Sequence, residues 1–354
     1  MVFPLHQGSG QRHLRSRMRW KRGNRLKLVS ESDAAPRTRA LFQQIRYTLG
    51  LPGVPVLYQA YAAFPAFLEV HWEAFRPVFE SQQFFSLGAR LAAESYTRAH
   101  NYFEVYALPD GRRSDTDTLS IQQVLDYYQY LDPILLLIST AQMQAFEGPV
   151  GQTRSSSEPP HHPIFLEAPQ LMKDDGAGST VVRIWEERRR ILELAFIADE
   201  HRALACWPDF YGTYWLSLKR LLQSPVYADC QYRLGESAWS MVQEFPVRVE
   251  TSVAQLLDAG LDDEEVASLS RINEALMQTF TGLVLDMTFA RIGWEGGTRN
   301  GEPVPPPTKQ PASEPRLKQP VSDPRLKQPA GEAPLKSSEA QLKSGKARTP
   351  TRVA

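Results

Sequence analysis

Residues 60–72 read AYAAFPAFLEVHW and residues 203–215 read ALACWPDFYGTYW. Slid by 143 positions, Ala60 and Ala62 fall on Ala203 and Ala205, Phe64-Pro65 on Trp207-Pro208, Phe67 on Phe210 and Trp72 on Trp215. Without a gap, Arg90-Leu91 then falls on Arg233-Leu234. A proline behind a large aromatic suits the first turn of a helix, where its missing N–H leaves no partner unsatisfied. The chain therefore encodes one helical unit twice. Two such units bury their apolar faces against each other, giving a pseudo-dimer within one chain. Phe67, Trp72, Phe210 and Trp215 are expected to look into the interface with the sister repeat.

The surrounding sequence has helical spacing. Phe42, Ile45 and Leu49 share one helix face, as do Val124, Tyr127, Leu131 and Ile134. The acids Asp262 to Glu265 suit a helix start, where the macrodipole favours negative charge, and the run to Ile292 contains no proline. Alternation with period two is scarce, and Asp110-Gly111 is a rare hairpin signal. The fold class expected is all-α. Turn-formers such as Ser155-Ser-Ser-Glu-Pro-Pro160 and Asp174-Asp-Gly-Ala-Gly-Ser179 mark a linker over 147–180. It divides repeat one, 34–146, from repeat two, 181–295, and splits the core between them.

Basic arms flank this core. Of 354 residues with 40 bases and 40 acids, the segment 1–29 holds eight bases and no acid. The segment 296–354 is net +6, which leaves 30–295 at net −14. The C-terminal arm repeats Ser313-Glu-Pro-Arg-Leu-Lys-Gln-Pro320 as Ser322-Asp-Pro-Arg-Leu-Lys-Gln-Pro329, a low-complexity pattern with little to bury. Residues 1–33 and 296–354 are expected to be disordered basic arms. The acidic middle argues against a nucleic-acid-binding fold, whose basic footprint would lie on the folded surface. No stretch has the apolar length of a membrane span, and the basic start lacks the apolar core of a signal peptide. Cys206 and Cys230 are too few for a disulfide framework and read as reduced, buried thiols of a cytoplasmic protein. Oligomeric state is not legible.

Dinucleotide, phosphate-loop, nucleophile-elbow, zinc-protease and dithiol motifs are absent from the sequence. His161-His162 sits among prolines and reads as solvated; no histidine cluster has metal spacing, so no metal or cofactor is expected. Matched positions of the two repeats then serve as a probe. Val54-Pro-Val-Leu-Tyr58 falls on Ile197-Ala-Asp-Glu-His201, so Val56 becomes Asp199 and Leu57 becomes Glu200. If the halves face each other, an acid confronts an apolar wall, which raises its pKa and makes it a better base near neutrality. The competing reading makes Asp199 the N-cap of a helix over Ala203–Trp207. Asp132, just before Pro133 and the run Ile-Leu-Leu-Leu-Ile138, poses the same choice: a paired or protonated buried acid, or an N-cap ahead of a proline.

Arg46-x-Thr-Leu-x-x-Pro52, Phe64-Pro65-x-Phe67-Leu68, Tyr130-x-x-Pro133-x-Leu-Leu-Leu137, Pro149-Val-Gly151 and Ala203-Leu-Ala-x-Trp207-Pro208, in this order across 36–295, resemble the group I, non-stereospecific D,L-2-haloacid dehalogenases. That resemblance implies an all-α hydrolase that displaces halide from C2 of a 2-haloalkanoic acid by direct attack of an activated water, with inversion, no covalent ester and no metal or organic cofactor. The family's catalytic Asp falls on Glu200, with Asp199 one step earlier. The Asn that helps hold the water falls on Asp132, and the aromatic substrate-pocket positions fall on Gly53 and Val56. Either acid of the 199–200 pair serves as the base on this reading, and a protonated Asp132 donates as an amide would. Smaller residues at 53 and 56 leave room for a larger substrate. Arg202 or Arg46 would supply positive field for the substrate carboxylate. The rival is a non-catalytic helical ligand- or partner-binding protein with a degenerate site.

Overall fold

The computed structural model describes residues 26–108, 115–153, 166–192 and 196–298. Residues 1–25 and 299–354 of the basic arms, Asp110-Gly111, Ser155 to Pro160 and His161-His162 lie outside the described residues.

Eleven α-helices are present among the described residues. In the first half they are α1 (Pro36–Leu49), α2 (Val56–Tyr61), α3 (Pro65–Phe79), α4 (Gln82–Tyr102) and α5 (Asp115–Ala145). The second half supplies α6 (Ser179–Leu192), α7 (Asp199–Leu204), α8 (Pro208–Leu222), α9 (Pro225–Met241), α10 (Val253–Asp258) and α11 (Asp263–Trp294). No strand occurs among the described residues, only an isolated antiparallel bridge between Val150 and Val249. The fold is all-α.

The first four helices of each half start 143 residues apart: 36 and 179, 56 and 199, 65 and 208, 82 and 225. Their local causes repeat too. Pro65 and Pro208 each open a helix behind an aromatic, with Phe64 at φ −127°, ψ 79° and Trp207 at φ −119°, ψ 80°. Ser81 and Ser224 each cap the next helix by accepting the amide N–H two residues on. Each half ends in a long helix, α5 or α11, and these two pack together as the most extensive helix pair. α11 starts on a capping box between Asp262 and Glu265. The structure is thus a pair of tandem repeats closed into an intramolecular pseudo-dimer.

The hydrophobic core is continuous through both halves rather than split by the linker, because α5 and α11 are buried over most of their length. Gly151, at φ +91°, turns the chain back beside Phe245 and Val247, where a Cβ would meet the Val247 carbonyl at 2.6 Å. The tryptophans do not look into the sister repeat. Trp72 Nε1 donates to Gln44 at 2.9 Å and Trp215 Nε1 donates to Glu187 at 2.8 Å, matched bonds that pin α3 to α1 and α8 to α6. Phe67 likewise meets Tyr61 and Phe146, and Phe210 meets Trp294, all within their own repeats. An indole needs a polar partner for its N–H, and each finds it on the first helix of its own repeat.

Candidate active site

Neither acid is a helix cap. Asp132 and Pro133 lie inside α5, where the amide that Pro133 cannot donate is the local cost and the buried length of the helix offsets it. The N-cap of α7 is Ala198, and no side chain caps that helix; Asp199 and Glu200 are its first two residues. α7 packs on α5 and α8. Glu200, from repeat two, therefore meets Asp132, from repeat one, across the junction of the halves.

Both carboxyls are almost fully enclosed, Asp132 at 2% and Glu200 at 3% exposure. Among the described residues, Asp132 Oδ2 and Glu200 Oε1 have no hydrogen-bond partner. Burial pushes the Glu200 carboxyl up to about 8; Asp199 adds to this, while its own backbone N–H and Arg188 pull against it. Asp132 is driven well above the usual carboxylate range, by burial first and then by Glu200, Asp286 and Asp199. The two carboxyls titrate as a coupled pair displaced toward neutrality. Asp199 is half-buried, and burial raises its carboxyl against the pull of Arg202. Tyr127 and Tyr128 of α5 form the aromatic wall facing this pair of residues, ring to ring at 4.9 Å.

Behind Glu200 lies a second layer that sequence reasoning missed. Arg188 of α6 is 1% exposed and pairs with Asp286 of α11 at 3.3 Å. Asp286 also accepts from the Tyr227 hydroxyl at 3.0 Å, and its backbone carbonyl accepts from the Tyr214 hydroxyl at 2.7 Å. The buried His201 places Nε2 3.8 Å from Asp286, and its ring runs parallel to Tyr214. Burial, reinforced by the Arg188 cation, drives the His201 pKa well down, so the ring is neutral. One signal could have found this layer. The 143-residue shift puts Arg188 on Ile45, a charge on a core position.

The other expected cations are engaged elsewhere. Arg46 pairs with Glu31 at 2.8 Å; Arg202 pairs with Asp174 at 2.7 Å and lies over the Trp185 ring. Gly53 is half-buried in the turn before α2, and a Cβ there would meet nothing within 4 Å. Val56, also half-buried, opens α2, which packs on α3 and α11 through bonds such as Tyr61 to Asn273. No group of His, Cys, Asp and Glu among the described residues is arranged to hold a metal ion. No described helix is long and apolar enough to cross a membrane.

The structure is that of a two-repeat, all-α pseudo-dimer with an enclosed acid pair at the repeat junction. The profile of the family described as halocarboxylic acid dehydrogenase DehI matches residues 52–201, a span that takes in Gly53, Val56, Asp132, Asp199 and Glu200. The (R)-2-haloacid dehalogenase of Pseudomonas putida is 25% identical over 272 residues, 73% of this chain and 90% of that protein. Its namesake from Rhizobium sp. (strain NHG3) is 20% identical over 227 residues, 62% of this chain and 88% of that protein. Among solved structures, a D-2-haloacid dehalogenase mutant in complex with D-2-CPA superposes with a TM-score of 0.72 at 22% identity, covering 76% of this chain and 96% of that one. A D-2-haloacid dehalogenase with L-LA gives the same values. Over residues 52–201 the chain matches that family's model, and along most of its length it shares the all-α fold of these D-2-haloacid dehalogenases.

Proposed function

We propose that this protein is a hydrolase that releases halide from C2 of a 2-haloalkanoic acid. The observation that carries the reading is the enclosed pair of Glu200 and Asp132, each with an unpartnered oxygen, at the positions where the family resemblance calls for a base and a water-holding donor. Glu200 takes a proton from a water molecule as the water oxygen bonds to C2. The carbon–halogen bond breaks on the opposite side, halide leaves with the bonding pair, and the configuration at C2 inverts. Product is the 2-hydroxyacid; Glu200 then returns its proton to solvent. No covalent enzyme intermediate is involved. Protonated Asp132 donates to the attacking water and aims it, the task of the family's amide. Asp199, half-exposed beside the base, is the weaker candidate for the same role. Gly53 and Val56 line the substituent side and leave room for a side chain longer than that of a two- or three-carbon acid.

The rival, a degenerate ligand-binding scaffold, expects acids turned to bulk solvent; the burial of Asp132 and Glu200 weighs against it. The setting we assign is cytoplasmic, which two free thiols support, Cys230 buried and Cys206 only half-buried against the expectation for it. The test is halide release from each enantiomer of 2-chloropropionate and 2-chlorobutyrate, with Glu200→Gln and Asp199→Asn. Loss of one general base is expected to slow Glu200→Gln by about 10²–10⁴-fold and Asp199→Asn by far less. Full activity in both variants removes the base assignment, and no halide from any 2-haloacid removes the reading.

A further inference from the structure

We infer that Arg188 is the substrate-carboxylate anchor of this site, a binding role that rests on the reading above and extends it to the recognition of the acid group. Arg188 is 1% exposed, and an enclosed guanidinium normally spends its five N–H donors on fixed acceptors. Here its one ion-pair partner is Asp286, reached through Nη2 at 3.3 Å, while Nη1 is buried with no acceptor among the described residues. A buried charged donor left unpaired is costly unless something completes it. Among the described residues, Arg188 Nη1, both ring nitrogens of His201, Glu200 Oε1 and Asp132 Oδ2 are buried with no hydrogen-bond partner. Arg188 and Glu200 act on each other electrostatically, as do Asp132 and Glu200. A ligand with a carboxylate at one end and an electrophilic carbon next to it matches that set of groups, an enclosed cation beside two enclosed acids.

Repeat one shows that the fold does not need this arginine. The matched residue is Ile45, fully buried. His71, matched to Tyr214, bonds the Gln142 side chain of α5 at 2.7 Å, as the Tyr214 hydroxyl bonds the Asp286 backbone carbonyl of α11. One repeat thus solves the same packing problem with Ile and Gln, and the other places an ion pair with a spare donor next to the acids. Tyr227 and Asp286 hold the guanidinium in place as positioning residues, and the Trp215 ring lies 5.4 Å beneath it.

The experiment is calorimetric binding of propionate and propionamide, neither of which can be turned over, to the full chain and to two variants. Arg188→Lys keeps the charge. The double variant Arg188→Ile with Asp286→Asn removes the pair without stranding a charge and keeps an oxygen for the Tyr227 hydroxyl. Expected are a preference of the unaltered protein for propionate over propionamide, a loss of propionate affinity of about 100-fold in the double variant with propionamide unchanged, and partial retention in Arg188→Lys. Propionate binding unchanged in the double variant overturns the assignment. So does a crystal of the unaltered protein soaked in propionate with the carboxylate away from Nη1, which decides the matter if the double variant folds poorly. The two readings fail separately. Arg188-dependent propionate binding with no halide from any 2-haloacid removes the dehalogenase reading alone. Halide release with kcat/KM unchanged in the double variant removes the anchor alone.

Discussion

Asp132→Asn separates a neutral donor from a carboxylate in the same place. Glu200 has its carboxyl pushed up to about 8 and Asp132 is driven well above the carboxylate range; in the proposed division of roles Asp132 keeps its proton while Glu200 ionises. The free enzyme should therefore show kcat/KM for a 2-haloacid rising about tenfold per pH unit below the Glu200 pKa and levelling above it. At pH 7 only about a tenth of the enzyme carries an ionised base under that pKa. Asparagine is nearly isosteric with protonated aspartate and offers an N–H donor from the same atom. Because the proton on Asp132 already removes its charge, the substitution should leave the limb near pH 8 and keep the plateau within about tenfold of the original. Asp132→Leu, which fills the space without donating, should cost roughly 10²-fold or more.

The assay is initial-rate halide release with 2-chloropropionate at saturating and limiting concentrations, across pH 5.5 to 9.5. If Asp132 is instead the ionised base, Asp132→Asn abolishes the rate, and the pH dependence near neutrality goes with it. A limb that drops by a unit or more, with rate retained, means that Asp132 was charged and repelled Glu200. Either result refutes the division of the pair into base and donor.

Two other outcomes follow from the same geometry. Glu200 is enclosed with a folded-state pKa of about 8 against an unfolded value near 4.5, so its burial destabilises the fold increasingly as pH rises from 4.5 to 8; Glu200→Gln should come within about 1 kcal/mol of the unaltered protein in urea unfolding at pH 5 and exceed it by an amount of order 4 kcal/mol at pH 8.5, and equal stabilities at both would show that the carboxyl is hydrated. Gly53 has open space at its Cβ and no positive φ, so Gly53→Phe should fold with a Tm within about 3 °C of the original while shifting preference from 2-chlorohexanoate toward 2-chloropropionate, as seen in competing-substrate kcat/KM; an unchanged preference would place residue 53 away from the substituent.

The repeat was legible because its signals are local. Proline at the first helical turn, a serine cap and an aromatic before the proline act within a few residues, so the sequence carries them in full. What failed was direction and partnership. The Asp132-Pro133 step resembles a helix boundary, yet α5 continues through it, since tertiary burial of the surrounding aliphatics outweighs one missing hydrogen bond. Trp72 and Trp215 turned toward their own repeats because the bond each indole makes is set by a residue 28 positions upstream. Arg188 hid within Glu186-Glu-Arg-Arg-Arg190, a run of charges whose local pattern does not single it out; its match to the core position Ile45 is the one sequence signal, and its partner Asp286 lies 98 positions away. The acids at 132, 199 and 200 were legible as acids in apolar surroundings, and the choice between cap and site needed coordinates.

The asymmetry of the halves explains how such a site persists. An enclosed arginine, three enclosed acids and a neutral histidine each cost free energy that no single contact returns in full. Repeat one carries uncharged counterparts at the matched positions: Ile45 for Arg188, Leu57 for Glu200 and Tyr58 for His201, all fully buried. Its own polar core, His71 with Gln142, and its Tyr61 bond to Asn273 of α11 use groups that stay neutral, His71 being pushed down to about 4 by burial. The continuous core and the α5–α11 pairing let the uncharged half hold the charged half in shape. A monomeric ancestor of either repeat, paired with an identical copy, would place the same residue in both halves and could not supply a base without burying it twice. Fusing the copies into one chain frees each position to differ, so one set of matched positions keeps packing while the other gathers buried acids and a cation.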